Sequence, residues 1–527
     1  MSENARVTKA AGVVGFSTFL SRIFGYIRDM VFAWFFGAGP ISDAFIAAFR
    51  IPNLFRRLFG EGSLSIALVP VFTEYLTLDG KQEALKLAGS ALRVLSILLA
   101  VTAVMGIVFA PLIMKAIAYG FTDSPRQFSL TVTLTRIMFP YMVFICLVAF
   151  SMGILNALGH FAAPALAPVL LNLAMIGSMV LVSFLSDDMT YRIYGLAAGV
   201  LVGGLLQLCL QIPFLIEKGF LFWRKASLYH PGLKRIGTLM IPATFGAAVF
   251  QINTLIQTFL ASLLPEGSIS YLYYADRLVQ FPLALFGIAT ATAVLPSLSR
   301  QASEKDFEGV KATFVYAINL VFYITVPSMV GLIVLREPIV ALLFKRGAFG
   351  GEATKLTAYA LLYYAIGLWA FSGVRIVIST FYALQDTKTP VKVAIVAIMA
   401  NIVLGRLLMV PMGHGGLALA LSLSMIINFA LLIRALRARL GALGLSGIGG
   451  SLLKTVFCSV LMGVAVHLTE VYIISSDYRS LSELVVGLAI SILIGFSLYA
   501  VFSFLVQSRE LKTIVSIVRK DFFKKWT

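Results

Sequence analysis

Charged side chains occur inside the apolar stretches of this chain, and most of them are arginines. One group lies within the first 61 residues, and a second lies in a later apolar stretch. The members are Arg22, Arg28, Asp29, Asp43, Arg50, Arg56, Arg57 and Glu61, followed by Asp276 and Arg277. An ionised side chain at the bilayer centre costs at least about 2.5 kcal/mol on insertion scales, so these groups predict a cavity filled by water or by a ligand.

Arginine suits one kind of ligand in such a cavity. A guanidinium group binds phosphate through two parallel hydrogen bonds and cannot be deprotonated to escape burial. On a helix, Arg22 and Asp29 share a face two turns apart, whereas Arg28 lies about 100° around the axis. We therefore expect one arginine to be paired and the other to be available, which favours an anionic pyrophosphate ligand. The alternative is an internal ion-pair network with snorkelling at the cytoplasmic end.

The sequence offers little support for catalysis or for nucleic-acid binding. It contains no GxxxxGK[ST] phosphate loop and no Ser/His/Asp or Cys–His arrangement with plausible spacing. Cys146, Cys209 and Cys458 lie in apolar stretches without metal-ligand spacing. The net charge of +18 comes from Lys and Arg in loops rather than from one basic face. We assign no catalytic residue, no metal ligand and no cofactor, and we expect no nucleic-acid partner.

The elements that position these charges are membrane-spanning helices. Of the 527 residues, 59% are hydrophobic and 13% are charged, whereas soluble proteins are about a quarter charged. Apolar stretches of about 20 residues recur and predict an all-α polytopic membrane protein of about 14 helices. The predicted spans are 10–37, 41–76, 84–118, 127–157, 163–185, 192–217, 235–263, 268–299, 308–343, 354–384, 389–411, 415–439, 450–474 and 481–507.

The basic residues predict the orientation of these spans. An even number of spans puts both termini on one side, and the loops and termini of that side carry about 24 Lys and Arg against six on the other. Both termini should therefore be cytoplasmic. The polar, basic N-terminus lacks a small-residue cleavage site, and we expect it to be retained.

A weak internal repeat divides the spans into lobes. AFRIPNLFRRLFGEGSLSIALVPVF and ADRLVQFPLALFGIATATAVLPSL share Ala-X-Arg, Pro, LFG and a second Pro, which aligns Arg50 with Arg277. Chance likeness of two Pro-containing helices is the alternative. The predicted parts are an N-terminal lobe (1–217), a cytoplasmic linker (218–234), a C-terminal lobe (235–439), a C-terminal helix pair (440–507) and a basic cytoplasmic tail (508–527).

Four ordered motifs resemble one known family. They are SRIFGYIRDMVFAWFFGAGPISDAFIAAFRIPNLFRRLFGEGSLSIALVPVFTEY (21–75), SISYLYYADRLVQFPLALFGIATATAVLPSLSR (268–300), LFKRGAF (343–349) and FYALQDTKTPVKVA (381–394). The chain resembles, over essentially its full length, the MurJ/MviN lipid II flippases of peptidoglycan synthesis. That family lies in the superfamily that includes the MATE exporters and polysaccharide flippases.

The resemblance implies both architecture and site. It implies two pseudo-symmetric six-helix lobes around a cationic central cavity, with a last helix pair forming a groove for a polyprenyl tail. By its motifs, Arg22, Arg28, Arg56 and Arg277 correspond to the family's essential arginines, and Asp43 to a functionally important acid. The other supporting or gating candidates are Asp29, Arg50, Arg57, Glu61 and Asp276. Gln280 stands where family members often carry an acid, which puts an ion-coupling role at that position in doubt.

The expected function is a lipid II flippase of the bacterial inner membrane that works by alternating access. The pyrophosphate would bind the four arginines while the lipid tail stays in the bilayer, and no bond would be broken. Membrane potential, worth about 2.3 kcal/mol per charge per 100 mV, or a monovalent cation could drive transport. Expected partners are lipid II, membrane lipids and proteins of peptidoglycan synthesis. The alternatives are a flippase for another polyprenyl-pyrophosphate glycan, a MATE-like cation-coupled exporter, and a scaffold for peptidoglycan enzymes.

Overall fold

The computed structural model describes residues 3–58, 64–221, 227–473 and 480–524, and the regular structure in these ranges is helical. The helices are α1 (Glu3–Phe36), α2 (Pro40–Phe55), α3 (Leu64–Leu78), α4 (Lys81–Val108), α5 (Ala110–Ile117), α6 (Pro125–Met138), α7 (Tyr141–Ala157), α8 (Ala162–Leu185), α9 (Met189–Glu217), α10 (Pro231–Ser262), α11 (Ser268–Pro282), α12 (Ala289–Ser303), α13 (Phe307–Val334), α14 (Arg336–Phe344), α15 (Gly351–Ile366), α16 (Leu368–Ala383), α17 (Lys388–Leu440), α18 (Leu445–Ile473), α19 (Leu481–Leu505) and α20 (Arg509–Lys524).

The helices have the length and composition of membrane spans. Among the described residues, nine helical segments are long and apolar enough to cross a bilayer, or ten if the bent pair α15 and α16 forms one span. This confirms the prediction of an all-α polytopic membrane protein. The 53-residue helix α17 contains a break at Gly413, which has φ +56°, where the sequence predicts the end of one span and the start of another. The count of 14 spans stays a prediction.

Proline interrupts the two repeat-related segments. Helix α2 contains Pro52 and ends at Phe55, while α3 begins at Leu64. After Pro282, residues Leu283–Ile288 form a wider π-helical turn before α12 begins. Proline removes a backbone donor and disturbs the preceding turn, which accounts for the change to π-helical geometry after Pro282.

The chain divides into two compact units. Unit 1 comprises Met1–Ser270 and Arg346–Phe349, and unit 2 comprises Tyr271–Lys345 and Gly350–Thr527. Helix α10 therefore belongs to unit 1. The finer division into two six-helix lobes, a linker and a C-terminal pair stays a prediction.

Small residues allow close helix packing in unit 1. Gly195, Gly199 and Gly203 recur at four-residue spacing on α9, which packs along α8. A Cβ added at Gly199 would lie 2.1 Å from Ser178 Oγ and 2.5 Å from Ser178 Cβ. Close approach of small residues is the usual basis of helix association in a bilayer, where lipid is as apolar as leucine. This packing holds α8 in place, and α8 in turn packs against the charged helix α1.

Unit 2 has an aromatic and aliphatic core. Fully buried Phe314, Ile318 and Val321 of α13 pack with Val377 and Phe381 of α16. A second cluster joins α13 to α18 and α19, where the Tyr499 hydroxyl donates to the Tyr323 carbonyl at 2.6 Å. These contacts hold α13 against α16, α18 and α19.

Candidate functional site

The most deeply buried charges of unit 1 form a small network on α1. Arg28 and Asp29 are 8% and 3% exposed. Arg28 donates to Asp29 Oδ1 from Nη2 at 2.6 Å and from Nε at 3.0 Å. Its Nη1 donates to Asn172 Oδ1 on α8 at 3.1 Å. The Asn172 amide is fixed in turn, because Nδ2 donates to the Ser21 carbonyl at 3.1 Å.

This network holds one guanidinium in a defined position. A buried ion pair is maintained only when its geometry is good and its remaining polar atoms are satisfied. The carboxylate offsets the charge of Arg28, and the amide sets the plane of the guanidinium by a second contact from another helix. The paired arginine of the sequence prediction is thus Arg28, and the partner that the helix geometry suggested for Asp29, Arg22, is not the one observed.

Arg22 is the available arginine of α1. Its side chain is exposed, and it has no ion pair or hydrogen bond to another residue in the described part of the chain. Arg22 lies nearly two turns before Arg28 on the same helix. The two guanidinium groups differ in burial, because Arg22 is exposed and Arg28 is buried. Arg28 is also fixed by its neighbours.

The remaining basic residues of unit 1 lie on or just after α2. Arg50 Nη1 donates to the Thr254 carbonyl of α10 at 3.3 Å. Arg56 Nε donates to Asn53 Oδ1 at 2.8 Å, one turn back along the same segment. Arg57 is partly buried in the turn that follows α2. Glu61 lies outside the described residues.

Asp43 accepts hydrogen bonds at the start of α11. Its carboxylate is 2% exposed and accepts from Gly267 N–H at 2.6 Å, Ser270 N–H at 2.8 Å and Ser270 Oγ at 2.6 Å. These donors stand at the start of α11, so Asp43 caps that helix from α2. A carboxylate at a helix N-terminus satisfies donors that have no partner within the helix and complements the helix dipole. Among the described residues, no ion pair involves Asp43.

The unit 2 site residues lie on α11. The Arg277 guanidinium carbon lies 5.1 Å from the centre of the Tyr273 ring, and Nη2 donates to the Tyr273 hydroxyl at 3.1 Å. Asp276 accepts a hydrogen bond from the side-chain amide of Gln280 one turn along. The tyrosine face stabilises the cation without neutralising it. The contact from Gln280 is neutral, so it adds no charge beside Asp276.

The structure brings two of the predicted residues into direct contact, because Arg28 and Asp29 form an ion pair. Arg22, Arg28 and Arg56 belong to unit 1 and Arg277 to unit 2, so a single four-arginine cluster stays a prediction. The described residues contain no group of three or more His, Cys, Asp or Glu side chains that could hold a metal ion.

Two site residues were missed by sequence reasoning. Asn172 is a polar residue in the middle of an apolar stretch, which was a usable signal, but its partner lies 144 positions away. Ser270 is the third residue of the SISYLYYADRL motif, and nothing in the sequence links it to Asp43. A polar side chain in an apolar helix predicts a partner without identifying that partner.

The fold and the buried charges define a polytopic membrane protein of the transporter class. A solved structure described as an inward-facing MATE family transporter of the MOP superfamily matches the fold with a TM-score of 0.66 at 17% identity, covering 82% of this chain and 98% of that one. The family model described as lipid II flippase MurJ matches residues 32–476. The chain belongs to the MurJ family, a family of flippases rather than of catalytic enzymes.

Individual relatives agree with this assignment. A protein named probable lipid II flippase MurJ from Vibrio cholerae is 42% identical over 438 residues, covering 82% of this chain and 83% of the relative. Lipid II flippase MurJ from Burkholderia cenocepacia is 40% identical over 432 residues, covering 81% and 83%. A solved structure described as lipid II flippase MurJ in an inward closed conformation matches with a TM-score of 0.79 at 29% identity, covering 94% of this chain and 98% of that one.

Proposed function

We propose that this chain is a lipid II flippase of the inner membrane, which moves the undecaprenyl-pyrophosphate-linked peptidoglycan precursor from the cytoplasmic to the periplasmic leaflet. The observation that carries the proposal is the buried Arg28–Asp29–Asn172 network on membrane helices of a MurJ family member. A buried arginine held ready by fixed partners is a site for an anionic group, and pyrophosphate is the anionic group of lipid II.

The arginines have distinct roles in this proposal. Exposed Arg22 makes the first contact with the pyrophosphate, and Arg28 binds it with a guanidinium whose plane is already set. Arg56 and Arg277 complete the binding as the protein alternates between inward-open and outward-open states. Tyr273 and Asn53, which contact Arg277 and Arg56, orient those two side chains. Asp43, Arg50, Arg57, Glu61 and Asp276 support or gate the change of state.

The orientation and energy source belong to the same proposal. The excess of basic residues on one side supports a cytoplasmic location for both termini. Membrane potential acting on the cationic side chains, or a coupled monovalent cation, drives the cycle. Proteins of peptidoglycan synthesis are the partners that would supply and consume the lipid.

The test measures translocation directly. Cells depleted of their own flippase receive this chain, its Arg28→Ala variant or an Arg192→Ala control, and a cleaving reagent at the outer face reports accessible lipid II. Arg192 is a matched control because it also forms an Arg–Asp pair, at 2.7 Å to Asp187, but at the start of α9. We expect the wild type and Arg192→Ala to restore accessibility and Arg28→Ala to fail. Precursor that stays trapped with well-expressed wild type would refute lipid II as the substrate and favour another polyprenyl-pyrophosphate glycan.

A further inference from the structure

Unit 2 contains a cavity that none of the proposed transport residues lines. Its volume is about 790 Å³. It lies where the turn between α12 and α13, the turn between α16 and α17, and the end of α17 meet. The lining residues are Ser299, Ala302, Ser303, Lys305, Phe307, Glu308, Lys311, Tyr382, Ala383, Leu384, Gln385, Arg439 and Leu440.

One wall of this cavity is formed by a motif that the flippase proposal leaves unexplained. Tyr382, Leu384 and Gln385 come from the segment FYALQDTKTPVKVA. Gln385 and Lys305 both have φ +58°, a left-handed backbone conformation that is uncommon for residues other than glycine. Each of the two residues follows the end of a helix. Asp306 N–H donates to the Gln301 carbonyl at 2.9 Å after α12, and Asp386 N–H donates to the Phe381 carbonyl at 2.9 Å after α16, which is the pattern of a helix C-cap. Here the two turns that hold this conformation face the same cavity.

Arg439 is fixed in the cavity wall by a salt bridge and a backbone contact. Its Nη1 donates to Asp386 Oδ2 at 2.6 Å, and its Nη2 donates to the Leu384 carbonyl at 3.2 Å. Asp386 is itself held, because its oxygens accept from the N–H groups of Lys388 and Thr389 at the start of α17. Among the described residues, these contacts use two of the five N–H groups of the guanidinium, so a positioned cation retains donors for a ligand.

The cavity lining is basic and also partly apolar. Three cations, Lys305, Lys311 and Arg439, face one carboxylate, Glu308, which pairs with Lys311 at 2.7 Å. Lys305 has no ion pair within the described residues. Phe307 and Tyr382 contribute aromatic side chains that are 46% and 44% exposed. A lining of cations beside exposed aromatic rings suits an anionic group attached to an apolar body.

We propose that this cavity binds a phosphate group, with the head group of an anionic phospholipid as its source. Lys305 and Arg439 supply the charge, Ser299 supplies a hydroxyl donor, and Phe307 and Tyr382 contact the glycerol and acyl region. The turns that form the cavity lie at the end of unit 2 that the charge distribution predicts to be cytoplasmic, where anionic head groups attract basic residues. A soluble phosphate ester shares this chemistry and is distinguished below.

The test uses the purified full chain in phosphatidylcholine nanodiscs and follows its thermal unfolding midpoint. Phosphatidylglycerol is added to the nanodiscs in steps, and inorganic phosphate or glycerol phosphate is titrated separately from solution. The variants are Lys305→Asn, chosen because asparagine tolerates the left-handed conformation, and the control Lys355→Asn, an exposed lysine of α15 outside the cavity. Unchanged midpoints in pure phosphatidylcholine would show that both variants fold.

We expect phosphatidylglycerol to raise the midpoint of the wild type saturably. Half-saturation should need about five times more of it in Lys305→Asn, because one lysine at a membrane surface contributes about that factor, and should be unchanged in Lys355→Asn. A lysine-dependent response to soluble phosphate alone would support the phosphate site and identify a soluble ligand. A response that is equal in all three proteins, or does not saturate, would overturn the proposal. This readout does not depend on lipid II transport, so either proposal can fail alone.

Discussion

Arg28 on α1 donates from Nη1 to Oδ1 of Asn172 on α8 at 3.1 Å. This hydrogen bond joins the two helices through residues that lie 144 positions apart in the chain. Asn172 therefore sets the position of a buried guanidinium without carrying charge itself. Hydrogen bonds to charged groups contribute about 1.5–3 kcal/mol, so the contact is strong enough to select one orientation of the arginine.

Replacing Asn172 should impair transport more than folding. We expect Asn172→Ala to lower the initial rate of lipid II translocation by about tenfold, which corresponds to about 1.4 kcal/mol, the lower end of that contact's range. Reconstituted vesicles with externally accessible lipid II would measure the rate, and thermal unfolding would measure stability. Asn172→Asp keeps the acceptor for Arg28 and should transport faster than Asn172→Ala. Equal loss in both variants would contradict a positioning role.

Asp29 should be required for stability only while Arg28 is present. Removing one member of a buried ion pair leaves an uncompensated charge and costs about 3–5 kcal/mol, whereas removing both is far less damaging. We expect Asp29→Ala to lower the unfolding midpoint strongly and Arg28→Met/Asp29→Ala to restore most of it. The double variant should remain inactive in transport. A double variant as unstable as Asp29→Ala would show that the pair does not act as a unit.

Asp43 should stabilise the start of α11. Asp43→Ala removes three accepted hydrogen bonds from a buried helix N-terminus, and loss of such a cap costs about 1–2 kcal/mol. Thermal unfolding of purified protein measures the effect. Asp187→Ala is the control, because the Asp187 side chain is fully exposed in a loop. Equal midpoints for both variants would argue against the cap.

Sequence patterns predict the class of this protein well because they depend on local physics. The length of apolar stretches, the break at Gly413 and the proline interruptions at Pro52 and Pro282 follow from the bilayer thickness and from backbone geometry. The family motifs add the expected roles of the arginines. Each of these signals is contained within one short stretch of neighbouring residues.

The site could be predicted only in part because its contacts are long-range. Helical spacing suggested that Asp29 would share a face with Arg22, yet the flexible Arg28 side chain bends back to its neighbour and reaches Asn172. The donors that satisfy Asp43 are the backbone N–H groups of residues 267 and 270 and the Ser270 hydroxyl, more than 220 positions away. A backbone donor that binds a particular side chain cannot be recognised from the sequence, since every residue except proline has such a donor.

Gly199 should tolerate no side chain, unlike Gly177 on the neighbouring helix. A Cβ at Gly199 would lie 2.5 Å from Ser178 Cβ, whereas a Cβ at Gly177 would meet nothing within 4 Å. Overpacking of this kind costs about 1–3 kcal/mol. We expect Gly199→Ala to lower the unfolding midpoint and Gly177→Ala to leave it unchanged or slightly higher. Adding Ser178→Gly should rescue Gly199→Ala if the clash is the cause.

The salt bridge between Asp386 and Arg439 should be lost only at acid pH. Hydrogen bonds from the Thr389 backbone, helped by the Thr389 side chain and by Arg439, hold the pKa of Asp386 below its ordinary value. A carboxylate with a lowered pKa stabilises the folded state above the unfolded pKa, about 3.9 for aspartate, and that stability is lost as the pH falls through the lower folded value. The difference in unfolding midpoint between wild type and Asp386→Asn should therefore be constant from about pH 5 to 8 and shrink below about pH 4. A difference that changes near pH 6 would assign the titration to another group.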